Sequence, residues 1–215
     1  MYRCEATTVG GFVQQLAVAY VQHGYWFYVT GQVPERKCPL AVDAKLLDRY
    51  EIAISKWARA RRKRTGGANV QYLRFGRFFV LIATRGEHRF FENEPTFRDI
   101  RRDSLNFAGY SISYKLGADR KWHASVRIHP SDYLTLKAYF LDLATRRSVE
   151  KLTAEFQRIP FEPYAPVRRQ FLNILRAVNR ERKLAGYEPV PVEALRLRRA
   201  VVRPFVSRAR IENAA

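Results

Sequence analysis

Between Glu51 and Glu87 the sequence holds nine basic residues and no acidic one: Lys56, Arg59, Arg61, Arg62, Lys63, Arg64, Arg74, Arg77 and Arg85. Trp57 stands among them, and Tyr72, Phe75, Phe78 and Phe79 follow. Cations neutralise phosphate and aromatic faces stack on bases, so this mixture has the chemistry of a nucleic-acid surface. A charge run is more often a solvated face, and at least one of Phe78 and Phe79 is expected to point into a core. A second set lies near the C-terminus. Stepping about 100° per residue from Pro166 to Leu184, Val167, Phe171, Ile174, Leu175 and Val178 make one apolar face. Arg169, Arg176, Arg180 and Lys183 fall opposite, with only Glu181 nearby to supply the i,i+4 pairing of an ordinary solvated helix. The candidate nucleic-acid-binding residues are therefore Lys56, Trp57, Arg59, Arg61, Arg62, Lys63, Arg64, Arg74, Arg77, Arg169, Arg176, Arg180 and Lys183.

Catalytic constellations are scarce by comparison. There is no phosphate-loop glycine pattern, calcium loop, nucleophile elbow or zinc spacing. Cys4 and Cys38 form neither a metal motif nor a disulfide framework. His123 and His129 flank one strand-like run, and Tyr133 follows. This arrangement superficially resembles the rolling-circle replication initiators and related transposases. That resemblance implies a His–hydrophobic–His pair holding a metal and a later Tyr acting as nucleophile. Here Ser125 occupies the second histidine's place, and along an extended strand His129 lies about 20 Å from His123. The expectation is no metal site, with Tyr133 in the first turn of a helix and its ring against Leu136 or Phe140. Converging carboxylates would serve a metal-dependent nuclease. Glu87, Glu92, Glu94, Asp99 and Asp103 cluster ahead of Lys115, but no carboxylate stands near Ser113 to complete an acid–acid–lysine core. No catalytic residue, metal or cofactor is assigned.

The chain of 215 residues is 47% hydrophobic and 27% charged, a globular composition, and its formal net charge is +19. Self-repulsion on that scale opposes compaction, so a polyanionic partner would relieve it. Thirty arginines outnumber nine lysines. Arginine's planar fork matches phosphate and stacks on bases, which an ammonium cannot do. The apolar stretch Phe12–Val21 is interrupted by Gln14 and Gln15, with no cleavage site after it, so neither a secretory signal nor a membrane partner is expected. Reduced thiols fit a cytoplasmic protein.

Periodicity predicts an α+β fold. A helix over Thr8–His23 precedes a strand at Tyr25–Thr30. Short helices at Val42–Tyr50 and Ser55–Arg64 precede a hairpin of Asn69–Arg74 and Arg77–Thr84. A second hairpin joins Asn106–Lys115 to Trp122–Ile128. Helices follow at Ser131–Thr145, Ser148–Ile159 and Pro166–Leu184, and a basic tail ends the chain. The reading divides the chain into a mixed nucleic-acid-binding core, 1–129, with antiparallel hairpins and short helices, and a helical basic region, 130–215. Helix, turn, helix and hairpin over 42–84 resemble a winged helix-turn-helix, which implies Ser55–Arg64 as recognition helix. The expected function is binding of structured RNA or DNA through arginine-rich helices and a hairpin, within a ribonucleoprotein or mobile-element system. The alternatives are a small endonuclease, nickase or transposase on the same polyanion, and a module for an acidic protein partner.

Overall fold

Thr8 is extended and its hydroxyl accepts a hydrogen bond from the Gly11 N–H, which starts helix α1 (Val9–Gln14). The computed structural model describes residues 2–117, 119–200 and 202–205. Beyond Gln14 the helix widens into a π-helical turn, Gln15–Tyr20, and tightens into a 3₁₀ turn, Val21–His23. Gly24 then ends it with a φ of 94°, a left-handed value glycine adopts without strain. Strand β1 (Tyr25–Gln32) follows. Helix α2 (Pro39–Arg49) begins three residues before the expected Val42, because Pro39 sits at the helix start where its missing N–H is no loss. Ser55 caps α3 (Lys56–Arg64), its Oγ accepting from the Ala58 N–H at 3.1 Å.

Strands β2 (Val70–Phe75) and β3 (Phe78–Thr84) form the expected hairpin. The short helix α4 (Arg89–Asn93) and strand β4 (Arg98–Asp99) follow, and the antiparallel sheet runs β2-β3-β1-β4. Its core gathers Tyr50, Ile52, Val70, Tyr72, Leu81, Ala83 and Phe90. Strand β3 lies between β2 and β1, β2 is at the sheet edge, and both hairpin strands are mostly buried.

Strands β5 (Leu105–Phe107), β6 (Tyr110–Leu116) and β7 (Trp122–Ile128) form a second sheet in that order. The expected single strand from Asn106 to Lys115 breaks at Ala108 and Gly109, both with positive φ (46° and 77°), as a two-residue hairpin turn requires. The remaining helices are α5 (Pro130–Leu143), α6 (Val149–Gln157) and α7 (Ala165–Leu184), with a final 3₁₀ turn, Val192–Ala194.

Two compact units result. The first comprises Met1–Leu105 and Ser113–Ala124 with the described part of Val202–Ala215; the second comprises Asn106–Ile112 and Ser125–Val201. Strands β6 and β7 each contribute to both, so the units do not separate at residue 129. In the second unit Phe140 of α5 stacks on Phe156 of α6 with ring centroids 4.0 Å apart. Val167, Phe171, Ile174, Leu175 and Val178 of α7 are buried, as their spacing predicts. Among the described residues no helix is long and apolar enough to cross a membrane. The basic tail from Val206 onward lies outside the described residues.

Candidate nucleic-acid interface

Helix α3 contains no acidic residue, and two of its arginines are committed to the fold. The Arg59 guanidinium donates to the Ile54 carbonyl at 2.8 Å, while its backbone carbonyl accepts from Asn69 Nδ2 at 3.1 Å. Arg62 donates to Glu51 at 2.7 Å, and Arg89 pairs with the same carboxylate. The outer face is different. Lys56, Trp57, Arg61, Lys63 and Arg64 are exposed, and no ion pair among the described residues engages these four cations. Trp57, Arg61 and Arg64 follow i, i+4, i+7 spacing and so share one stripe, with Lys56 and Lys63 beside it. Trp57 is 82% exposed, so its ring is not a core residue.

His88 lies behind this helix, its Nε2 3.4 Å from Arg62 Nη1. Its Nδ1 accepts the Phe90 N–H at 3.0 Å and caps α4. Burial, and then the Arg62 charge, push its pKa below the ordinary value.

Two other arginines assigned to the interface are structural. Arg74 is 2% exposed. Its Nε donates to Asp43 Oδ1 at 2.8 Å, Nη2 to Oδ2 at 2.9 Å and Nη1 to Glu5 at 3.1 Å. Tyr72 donates its hydroxyl to the same Asp43 at 2.6 Å. Moving Arg74 to a phosphate would leave a carboxylate buried and unpaired, which opposes the move by several kcal/mol, about 3–5 by analogy with broken buried pairs. Arg77 is tied by its carbonyl partners instead: Nη1 donates to Pro34 at 2.7 Å and Nη2 to Glu35 at 3.1 Å, clamping the chain after β1. The hairpin aromatics pack inward too. Tyr72 is fully buried, Phe79 is 5.8 Å from it, and Phe78 is 5.8 Å from Phe12, ring centroid to centroid.

In the second unit Arg169, Arg176, Arg180 and Lys183 are all exposed on α7, as predicted, and with Asn173 they form one stripe. Arg176 is 3.3 Å from Asn173 Oδ1 and Arg180 is 3.5 Å from Glu181, contacts weak enough at a surface to yield to a ligand. Arg182, one position off the stripe, is buried and donates to the carbonyls of Ala144, Arg147 and Glu188.

The first unit also contains a set of residues that sequence reasoning missed. The Arg101 guanidinium lies 4.6 Å over Trp26, Trp26 is 5.4 Å from Tyr114, and Tyr114 is 5.6 Å from Trp122 at 22° between planes. Asp99 holds Arg101 in place with bonds of 2.9 and 2.6 Å. Burial alone would raise the Asp99 carboxyl, but its bonds from Arg101 bring it below the ordinary range. Trp122, at the end of the stack, is 49% exposed, and Lys115, Arg120 and Lys121 beside it are exposed. Tyr114 and Trp122 stand on the two adjacent strands β6 and β7, and only the tertiary fold adds Trp26.

The other reactive side chains are dispersed. His123 pairs with Asp119 at 2.8 Å, whereas His129 contacts Ser131 at 2.8 Å in the other unit. Tyr133 is half-buried in the first turn of α5, its N–H donating to the His129 carbonyl at 2.9 Å. Of the carboxylates ahead of Lys115, Glu94 accepts from the Tyr50 hydroxyl and Asp99 is taken by Arg101. Among the described residues no three His, Cys, Asp or Glu side chains gather to hold a metal ion. Both cysteines are free; burial, and then the Asp43 carboxylate, push the Cys4 thiol up to about 12. Comparison of the chain with protein-family models, with curated proteins and with solved structures finds no match.

Proposed function

We propose that this protein binds nucleic acid, with the outer face of α3 as the primary contact and the Trp122 stack and the α7 stripe as further contacts. One observation carries the reading: an almost fully exposed Trp57 beside four exposed cations on a helix without a single acid. A helix selected for solubility would alternate charges and keep its tryptophan inside. A helix built for a membrane surface would present a broad apolar face, which α3 lacks. Phosphate neutralisation by Lys56, Arg61, Lys63 and Arg64 with stacking on Trp57 uses each of these side chains. The net charge of +19 and the preference for arginine point the same way. The cytoplasm is the compartment in which two free thiols persist, and we place the activity there.

The test is salt-dependent binding of a fluorescein-labelled oligonucleotide, single-stranded and duplex, followed by anisotropy. Four phosphate contacts at about 0.7–0.9 each give a log–log slope near 3, hence a loss on the order of 60-fold between ~50 and ~200 mM salt. Affinity that is flat across that range would sink the reading.

A further inference from the structure

Two residues of α3, Lys56 and Arg59, also border a cleft of about 690 Å³ inside the first unit. That volume falls within the roughly 300–1,000 Å³ typical of small-molecule sites. Its inner wall is polar and aromatic. Tyr2 donates its hydroxyl to Gln71 Oε1 at 2.7 Å, and Gln71 Nε2 donates to the Tyr25 hydroxyl at 3.2 Å. The Tyr20 and Tyr25 rings lie 5.7 Å apart. Tyr25 accepts from Gln71, so its own O–H remains to donate, and Gln71 keeps a second N–H.

The mouth is cationic. Arg3, His23 and Lys56 are exposed there, and among the described residues no carboxylate lines the cleft. In a chain with twenty acidic residues, a cleft bordered by four basic side chains and, among the described residues, no acid favours an anionic ligand. A second observation is independent of charge. The π-helical turn, Gln15–Tyr20, supplies Gln15, Ala19 and Tyr20 to the same cleft. π-Helical turns are rare and recur at functional sites. Here three residues of the turn line a cavity.

We infer that the cleft takes one nucleotide, its base edge read by the Gln71 amide and the Tyr25 hydroxyl, and its phosphate on Arg3 and Lys56. The site rests on the nucleic-acid reading of α3, since Lys56 belongs to both. An amide and a hydroxyl can each donate to a base edge, and the exposed Arg3 and Lys56 can neutralise a phosphate.

The experiment titrates the full chain with each of the four common nucleoside 5′-monophosphates and, separately, with inorganic phosphate, by NMR chemical-shift perturbation. At least one nucleotide is expected to bind about tenfold or more tightly than phosphate, with shifts at Tyr20, Tyr25 and Gln71. Tyr25→Phe, which keeps the ring and removes the donor, should weaken that nucleotide by about 3–10-fold while phosphate binding stays unchanged. Lys56→Ala, at an exposed position that does not threaten folding, should weaken both ligands. Nucleotides that bind no better than phosphate, or shifts confined to α3, would overturn the site, and oligonucleotide binding that persists in the same preparation would then leave the function proposed above standing. Nucleotide binding at the cleft in a chain that ignores oligonucleotides would do the reverse.

Discussion

Asp43 carries more of the first unit's polar interior than its single charge suggests, and replacing it with alanine should be severe. One carboxylate accepts from the Tyr72 hydroxyl at 2.6 Å, Arg74 Nε at 2.8 Å and Arg74 Nη2 at 2.9 Å. The Asp43 and Arg74 side chains are 6% and 3% exposed, so water cannot substitute for the lost partner. Removing one member of a buried pair costs about 3–5 kcal/mol. Glu5 still pairs with Arg74 at 3.1 Å, which puts the expected loss at the lower end, about 3 kcal/mol. In urea denaturation followed by far-UV circular dichroism, that loss lowers the midpoint by about 1–1.5 M for an m-value of roughly 2–3 kcal/mol/M. The double variant Asp43→Leu/Arg74→Met removes both charges and should recover most of it, because apolar side chains of similar volume replace the pair. A loss below about 1 kcal/mol in Asp43→Ala would refute the buried pair. The same variants separate stability from binding: folded Arg74→Met should hold an oligonucleotide as tightly as the parent chain.

His88 should titrate below its ordinary value of about 6.5, and stability should fall as pH drops through that value, because the unfolded chain takes the proton first. An NMR midpoint for His88 at or above 6.5 would contradict the burial and Arg62 contact assigned to it. Alkylation with iodoacetamide near neutral pH should modify exposed Cys38 and spare Cys4, whose thiol burial holds near 12; mass spectrometry showing equal labelling would contradict this. Trp122→Ala should weaken single-stranded oligonucleotides by about 5-fold or more and duplexes of the same sequence less, since stacking needs an unpaired base. Equal losses on both would count against the stack as a base platform.

Helix α7 was legible because its apolar and basic stripes keep one spacing over about three and four turns, and α3 because Ser55 marks its start before a run without acids. The exposed cations on both helices follow directly. Other features had no local signature. The π-helical turn keeps Leu16, Ala17 and Tyr20 buried, so its apolar residues read as those of an ordinary helix. Ala108 and Gly109 lack the Asn-Gly composition that announces a two-residue turn, which hid the break between β5 and β6. Arg74 and Arg77 look like the other arginines of their window, yet Arg74 meets a carboxylate 31 residues away and Arg77 a set of loop carbonyls. The same holds for Trp26, whose ring joins Tyr114 only through the tertiary fold. Charge is visible in a sequence, whereas the partner that occupies it is set by packing.

The most direct measurement compares salt slopes. Arg61→Ala/Lys63→Ala/Arg64→Ala changes three exposed residues of α3 that hold no ion pair among the described residues, so folding should be intact. Three lost phosphate contacts reduce the slope of log affinity against log salt by about 2, with weaker binding at every salt concentration. An equal triple change in Arg59, Arg74 and Arg77 should alter stability and leave the slope of the folded fraction unchanged. If the exposed triple variant keeps the parent's affinity and slope, α3 is a solvated face and the proposed interface is wrong.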